Sequence, residues 1–492
     1  MTDRTAERAA TTEDTGVHTT ATDTRGTATR EAQTMSDYAT TNPATGEVLA
    51  RFPETTDAEI EAALAASASA YQAWRRVPRA ERAELLRRVA TNYRDRADEL
   101  AALLTLEMGK PITQAHGEVA LSAAIYDYYA EHAETFLADE PLTISGTGTA
   151  VVRTEPIGPL LGVMPWNYPY YQVARFAAPN LALGNTILLK HAQICPQSAL
   201  AVAEIFARAG APESVYVNLF ASNEQVARII ADPRVRGVSL TGSERAGAAV
   251  AEVAGRHLKK YVLELGGSDP FLVLDDAGLD KTVAAAVGNR MGNAGQACTA
   301  SKRFIVLDEV YDTFLDAFVA AMREQRPGDP TDPATTFGPL SSQRAVDELA
   351  RQVDEAVAQG ATVATGGRRI ERPGAWYEAT VLTDVTPDMR AYREELFGPV
   401  AVVYRAPSVD AAVELANDSP YGLAAAVFSS DDRLAAEVAD RLDTGMVWLN
   451  ATSRSAPDLP FGGVKRSGVG RELSHYGIAE FANKKLIRDP RS

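Results

Sequence analysis

The sequence predicts an α/β protein with two doubly wound parallel-sheet domains and a small additional β element. Three observations carry that expectation. From residue 151 onward, short apolar runs alternate with amphipathic helical runs. Strands and helices of that length imply right-handed crossovers and a parallel sheet covered on both faces. The alternation comes in two runs, one on each side of Glu264-Leu265-Gly266-Gly267. Finally, at about 150 residues per domain, 492 residues are enough for about three domains.

Taken in order, residues 1–35 are Thr-, Ala-, Asp-, Glu- and Arg-rich and hold no aromatic residue. Such a segment buries too little surface to offset its ordering entropy, and a disordered tail is expected. Met35 is a candidate start, because the patterned sequence begins just after it. Residues 56–134 read as helices. Thr56-Asp57-Ala58-Glu59-Ile60 is a helix-start pattern, with Ile60, Leu64 and Trp74 at helical spacing. Pro78 opens a second helix, which runs through Leu85, Leu86, Val89, Leu100, Leu103 and Leu104 until Gly109 and Pro111 stop it. Residues 141–154, with Thr, Val, Ile and Gly, have a strand–turn–strand rhythm. The first α/β run places strands at 186–190, 215–220, 235–240 and 261–265, with helices at 196–209, 224–231 and 244–254. The second places strands at 271–274, 304–307, 400–404, 424–428 and 446–449. Its helices fall near 279–290, 310–323, 342–358, 408–417 and 431–440.

Charge and composition narrow the function classes. The formal net charge is −16, with 65 acidic residues against 49 basic ones. Nucleic-acid recognition needs a Lys/Arg excess, so no nucleic-acid partner is expected. Only Cys195 and Cys298 occur, which excludes a disulfide scaffold and a Cys-rich zinc site and suits a reducing cytoplasm. No uncharged apolar run of about 18 residues is present, and no apolar h-region opens the chain. Neither a membrane span nor a signal peptide is expected. The six histidines show no metal-ligand spacing, and no metal is expected.

Four places carry candidate chemistry. Cys298 sits in Gly292-Asn293-Ala294-Gly295-Gln296-Ala297-Cys298-Thr299, a polar, glycine-bearing loop after a helix, where a thiol is reachable. A lone cysteine is otherwise a small core residue, which is the reading for Cys195. Glu264 ends an apolar strand, where burial raises a carboxyl toward the range of a general base. Alternatively it points outward at the strand end. Asn167, framed by Pro165 and Pro169 in Met164-Pro165-Trp166-Asn167-Tyr168-Pro169, is a rigid amide donor suited to an oxyanion, or turn chemistry only. Gly242-Ser243-Glu244 follows a strand and opens a helix, a setting for phosphate. It is neither a G-x-G-x-x-G fingerprint nor a P-loop, and no nucleophile elbow occurs.

As an ordered set, these motifs closely resemble the NAD(P)-dependent aldehyde dehydrogenase superfamily. The pieces are Pro165-Trp166-Asn167, Lys190, Thr241-Gly242-Ser243, Glu264-Leu265-Gly266-Gly267, Gly295-Gln296-Ala297-Cys298, Glu395-Leu396-Phe397-Gly398-Pro399 and Pro460-Phe461-Gly462-Gly463. The likeness covers about residues 36–490. It implies the aldehyde dehydrogenase fold. A Rossmann-like cofactor domain would comprise 36–136 and 156–264, and a catalytic domain 265–465. Oligomerisation segments at 137–155 and 466–492 would give a homodimer or homotetramer. The resemblance implies that the Cys298 thiolate attacks an aldehyde, with the oxyanion held by the Asn167 amide and the Cys298 N–H. Hydride then passes to the nicotinamide, and water activated by Glu264 hydrolyses the thioester. It places Pro165, Trp166 and Phe397 at the cofactor, Lys190 and Glu395 at its ribose hydroxyls, and Gly242 and Ser243 near its pyrophosphate.

Within the superfamily the likeness is greatest to bacterial succinate-semialdehyde dehydrogenases. Arg175, eight residues after Asn167, stands where those enzymes carry an arginine for the substrate carboxylate. A second arginine found in some members is replaced by Gly292, so Arg454 or Ser455, in loop 451–457, is expected to supply the missing contact. Another short, medium or aromatic aldehyde is the alternative substrate. Gln193 stands three residues after Lys190, where NAD-preferring relatives carry an acid. The neutral amide, with Lys190 or His191 nearby, favours the 2′-phosphate, so NADP is expected to serve at least as well as NAD.

Overall fold

The computed structural model describes residues 37–491. The expected tail and Met35 lie outside the described residues. Helix Asp57–Trp74 starts at Thr56, whose hydroxyl accepts from the Glu59 N–H while the Glu59 carboxylate accepts from the Thr56 N–H. This reciprocal cap satisfies two otherwise orphaned donors. The single helix expected after Pro78 is instead two, Arg79–Asp95 and Ala97–Met108, broken at Arg96 with φ −109° and ψ 20°. Apolar spacing does not reveal the break, because Leu85, Leu86, Val89, Leu100 and Leu104 all enter the same core. Gly109, at φ 67°, ends the second helix, and Pro111 precedes Ile112–Phe136.

The first sheet has five parallel strands: Pro159–Val163, Thr186–Lys190, Tyr216–Asn218, Gly237–Thr241 and Lys260–Glu264. Numbered along the chain, they lie across the sheet in the order 3-2-1-4-5. Thr186–Lys190 and Gly237–Thr241 are buried along their whole length, as expected of a parallel sheet covered on both faces. The order reverses between Pro159–Val163 and Gly237–Thr241. Ligands of open α/β sheets bind outside the carboxyl ends of strands at such a reversal. Residues 164–167 leave one of those two ends and residues 241–243 the other. Gly468–Val469 adds an antiparallel strand against Leu263 and Glu264. The C-terminal segment, expected to serve assembly, therefore also completes this sheet.

The second sheet runs Thr362–Thr365, Thr380–Thr383, Val400–Ala406, Ser301–Leu307, Asp269–Val273, Ala424–Phe428 and Met446–Leu449. Only the Thr362–Thr365 pairing is antiparallel. The first two strands are short and threonine-rich, and sequence patterning missed them. Thr149–Pro156 pairs antiparallel with Ala482–Asp489 over eight residue pairs, and Glu140–Pro141 joins on the other side.

Helix Pro169–Leu183 also went unmarked. All its residues are buried, so it has no polar face to generate a periodic pattern. It starts two residues after Asn167, and its Gln172 donates to the Asn167 Oδ1.

Candidate active site

The nucleophile candidate lies on a turn of unusual backbone. Helix Leu279–Met291 ends, and Asn293, Ala294 and Gly295 follow with φ of 51°, 53° and 75°. Non-glycine residues adopt this conformation only when surroundings hold them there. Here Asn293 Nδ2 donates to Asn167 O at 3.0 Å, and Gln114 Oε1 accepts from the Asn293 N–H at 2.8 Å. Gln296 Oε1 accepts from the Ser341 N–H at 2.9 Å. The buried Arg290 guanidinium donates to Gly295 O and Ser301 O, spanning the turn from beneath. Cys298 is half-buried, and its backbone N–H donates to no acceptor among the described residues. Burial pushes the thiol up to about 12, opposed by the positive charges of Arg175 and Lys302.

Asn167 faces the same turn. One hydrogen of its Nδ2 goes to Gln296 O at 2.9 Å, and its Oδ1 accepts from Gln172 at 3.1 Å. An amide nitrogen carries two hydrogens, so a second donor remains. The Asn167 carbonyl accepts from Lys110 Nζ at 2.8 Å. Lys110 is ion-paired with Glu118, whose other oxygen accepts from the N–H groups of Tyr170 and Tyr171 at the start of helix Pro169–Leu183. A buried ion pair persists where both partners are fully hydrogen-bonded. Lys110 and Glu118 thus hold the Asn167 loop, and nothing local in the sequence marked either one.

Glu264 ends its strand 2 % exposed, with neither carboxyl oxygen hydrogen-bonded. Burial pushes its carboxyl well above the usual range. Arg175 and Arg471 oppose that shift, while Glu472 and Glu480 add to it. Gly462 packs against it: a Cβ there would sit 2.7 Å from Glu264 Oε1. That close approach accounts for glycine in Pro460-Phe461-Gly462-Gly463.

A cleft of about 260 Å³ opens at the strand-order reversal, lined by Pro165, Trp166, Gly242, Ser243, Cys298 and Glu395, among others. The Trp166 and Phe397 rings meet edge to face, 5.6 Å apart. Ser243 caps helix Glu244–Arg256. A Cβ on Gly242 would meet nothing nearer than Leu240 at 3.6 Å, so the helix start is open to a ligand. A larger hollow of about 680 Å³, near Leu106, Ile112 and Trp376, contains none of the candidate residues.

Around the cleft, Lys190 has no hydrogen-bond acceptor among the described residues, and burial lowers its ammonium to about 8. Gln193 donates to Asp37 at 3.4 Å, so a carboxylate supplied from outside the motif stands beside it. His191 cannot serve a 2′-phosphate. It is fully buried, pushed down to about 4 by desolvation, and its ring nitrogens meet Pro169 O and the Ala192 N–H.

The three substrate candidates differ in setting. Arg175, inside helix Pro169–Leu183, is 1 % exposed and ion-paired with Glu472. Its remaining nitrogens reach Tyr171 Oη at 3.2 Å and Thr241 Oγ1 at 3.1 Å. It is not a free clamp at the pocket wall, because its charge is already answered within the protein. Tyr171 Oη also bonds Ser455 Oγ at 2.9 Å, which joins Arg175, Tyr171 and Ser455 in one line. Arg454 is exposed on the same loop. Glu472 and Tyr171 are partners that sequence reasoning missed. Among the described residues no group of His, Cys, Asp or Glu is arranged to hold a metal, and no helix is long and apolar enough to cross a membrane.

Fold and site together define an α/β enzyme with a dinucleotide-type cleft lined by a cysteine, and a partnerless buried carboxyl one residue before the lining residue Leu265. The aldehyde dehydrogenase family profile matches residues 29–487. A succinate-semialdehyde dehydrogenase [NADP(+)] of Deinococcus radiodurans is 58% identical over 452 residues, 92% of this chain and 94% of that protein. One of Mycobacterium ulcerans is 48% identical over 91% of this chain and 99% of its own length. The crystal structure of succinic semialdehyde dehydrogenase from Streptococcus pyogenes, in complex with NADP+, superposes with a TM-score of 0.91 at 45% identity. That likeness covers 92% of this chain and 100% of that one. The chain belongs to the aldehyde dehydrogenase family.

Proposed function

We propose that this chain oxidises succinate semialdehyde to succinate with NADP, through a covalent thioester on Cys298. The observation that carries the reading is that the Cys298 thiol, with its unclaimed N–H, and the spare Asn167 donor line one cleft, and that the partnerless Glu264 carboxyl directly precedes Leu265 and Gly266, which line the same cleft. The substrate and cofactor follow the 58% identical relative.

The cleft residues fit a dinucleotide. Gly242 and Ser243 offer a helix start to the pyrophosphate, Lys190 a buried, unclaimed ammonium, and Trp166 and Phe397 an apolar wall. Glu395 offers a carboxylate for ribose hydroxyls. Bound NADP supplies the hydride acceptor. Cys298 adds to the aldehyde carbon, and its N–H and the Asn167 amide take the oxyanion. Such a donor is worth about 10²–10³ in rate. After oxidation, Glu264 takes a proton from the water that attacks the thioester. The carboxylate end of the substrate is read by Ser455 and Tyr171, with the Arg175 charge behind them. Self-association into a homodimer or homotetramer would use strand Ala482–Asp489, an exposed edge carrying Leu486 and Ile487. Two unpaired cysteines suit work in the cytoplasm.

Arg175→Ala would strand Glu472 as a buried unpaired charge, so Ser455→Ala is the cleaner probe of substrate choice. Wild type is expected to prefer succinate semialdehyde to butanal, and NADP to NAD, in kcat/KM. Ser455→Ala should lower the semialdehyde value by about 5–10-fold, the worth of one hydrogen bond, and leave butanal unchanged. Equal rates for the two aldehydes in wild type would overturn the substrate assignment. A tenfold or greater preference for NAD, on the scale of about 1.4 kcal/mol, would overturn the cofactor assignment.

The pH dependence follows from the two raised groups. Burial raises both the Cys298 thiol and the Glu264 carboxyl above their ordinary values, and both act deprotonated, so raising the pH populates the active form. We expect kcat/KM to rise steadily from pH 6 to pH 9 in a full pH–rate profile. A flat or falling profile would contradict the assigned roles.

A further inference from the structure

Lys302 lies in strand Ser301–Leu307, every residue of which is buried. A lysine there carries a desolvation cost that an apolar residue would avoid. Its ammonium donates to Cys298 O at 2.6 Å and Ala297 O at 2.9 Å, and is ion-paired with Glu395 Oε1 at 2.9 Å. Two of these oxygens belong to the backbone of the nucleophile turn, and the third to the carboxylate that lines the cofactor cleft. No other described side chain bridges the turn to that carboxylate. Asp269 lies close enough to feel the same charge, and its Oδ1 is occupied by the Ala424 N–H at 3.1 Å.

We propose that Lys302 is a positioning residue that holds the Cys298 turn and Glu395 in one register. The proposal rests on the reading of Glu395 as a cofactor ligand. Lys302 draws the Ala297 and Cys298 carbonyls to itself, so that they do not compete for the oxyanion site. It anchors one Glu395 oxygen, which leaves the other to accept from ribose hydroxyls with little rotamer freedom left to lose. Its charge also stands near the Cys298 sulfur and favours the thiolate.

The test measures KM for NADP, kcat, and the pH dependence of Cys298 alkylation by iodoacetamide. Cys195 is fully buried, and Cys298→Ala supplies the blank. Lys302→Met is expected to raise KM for NADP about tenfold, because the half-buried Glu395 loses its ion-pair partner, and to move the alkylation midpoint to higher pH. Lys302→Gln keeps a donor for the carbonyls but no charge. It should fold with less disturbance and show the same two shifts. Lys302→Arg should restore most of both. The double variant Lys302→Met/Glu395→Gln should raise KM no further than Glu395→Gln alone, because the two act as one unit. Should Lys302→Met and Lys302→Gln lower Tm yet leave KM and the alkylation midpoint at wild-type values, Lys302 only fills space and the proposal falls. If that happens while Glu395→Gln still raises KM, the cofactor reading stands without it. If Glu395→Gln leaves KM unchanged, the cofactor reading of Glu395 fails and takes the proposal with it.

Discussion

Cys298→Ala is expected to abolish aldehyde oxidation, by at least about 10⁴-fold, as removing a covalent nucleophile does in other enzymes, while NADP still binds. The other thiol, Cys195, is buried against Met108 and the Trp166 carbonyl and cannot substitute. The substitution removes one half-buried sulfur whose side chain makes no hydrogen bond, so the turn, held by Asn293, Gln296, Arg290 and Lys302, should keep its shape. Binding of NADP, followed by fluorescence titration, separates lost chemistry from lost structure. Turnover within about tenfold of wild type, or about 1.4 kcal/mol, would remove Cys298 from the mechanism.

Glu264→Gln is expected to preserve the first burst of NADPH and slow the steady state by about 10²–10⁴, the range for losing a general base. Burial pushes the native carboxyl toward its neutral form, and neither of its oxygens has a hydrogen-bond partner. Glutamine of the same shape therefore replaces it without adding a buried charge, and stability should hold. Acylation of Cys298 needs no proton transfer to Glu264, whereas hydrolysis of the thioester does. Stopped-flow measurement resolves the two phases. An equal fall in burst and steady state would mean that Glu264 acts before the thioester forms.

The candidate site was legible in the sequence where its residues sit at chain punctuation. Cys298 follows a helix end marked by glycines, Asn167 stands between prolines, and Glu264 precedes Gly266-Gly267. Each marks a strand end or tight turn, where function concentrates in open α/β sheets. Strands 424–428 and 446–449 coincide with the structure because their apolar runs are short and clearly bounded. Helix Pro169–Leu183 and strands Thr362–Thr365 and Thr380–Thr383 were not legible. The first has no polar face, and the others are too short for an alternation to register.

By itself, the sequence determined the fold class, the order of most elements and the candidates for the reacting groups. These depend on local periodicity, on glycine and proline at particular positions, and on motif order. Only the tertiary structure decided what those groups touch. Arg175 became the partner of Glu472, which arrives on the C-terminal segment. Gln193 acquired the Asp37 carboxylate, His191 became a neutral buried spacer, and Lys302 met Glu395. Each pairing joins side chains from separate elements, and its strength comes from the exclusion of water around them. A linear sequence shows that a charge exists. The fold decides whether that charge is buried and which partner answers it, and so whether it is free to act on a substrate.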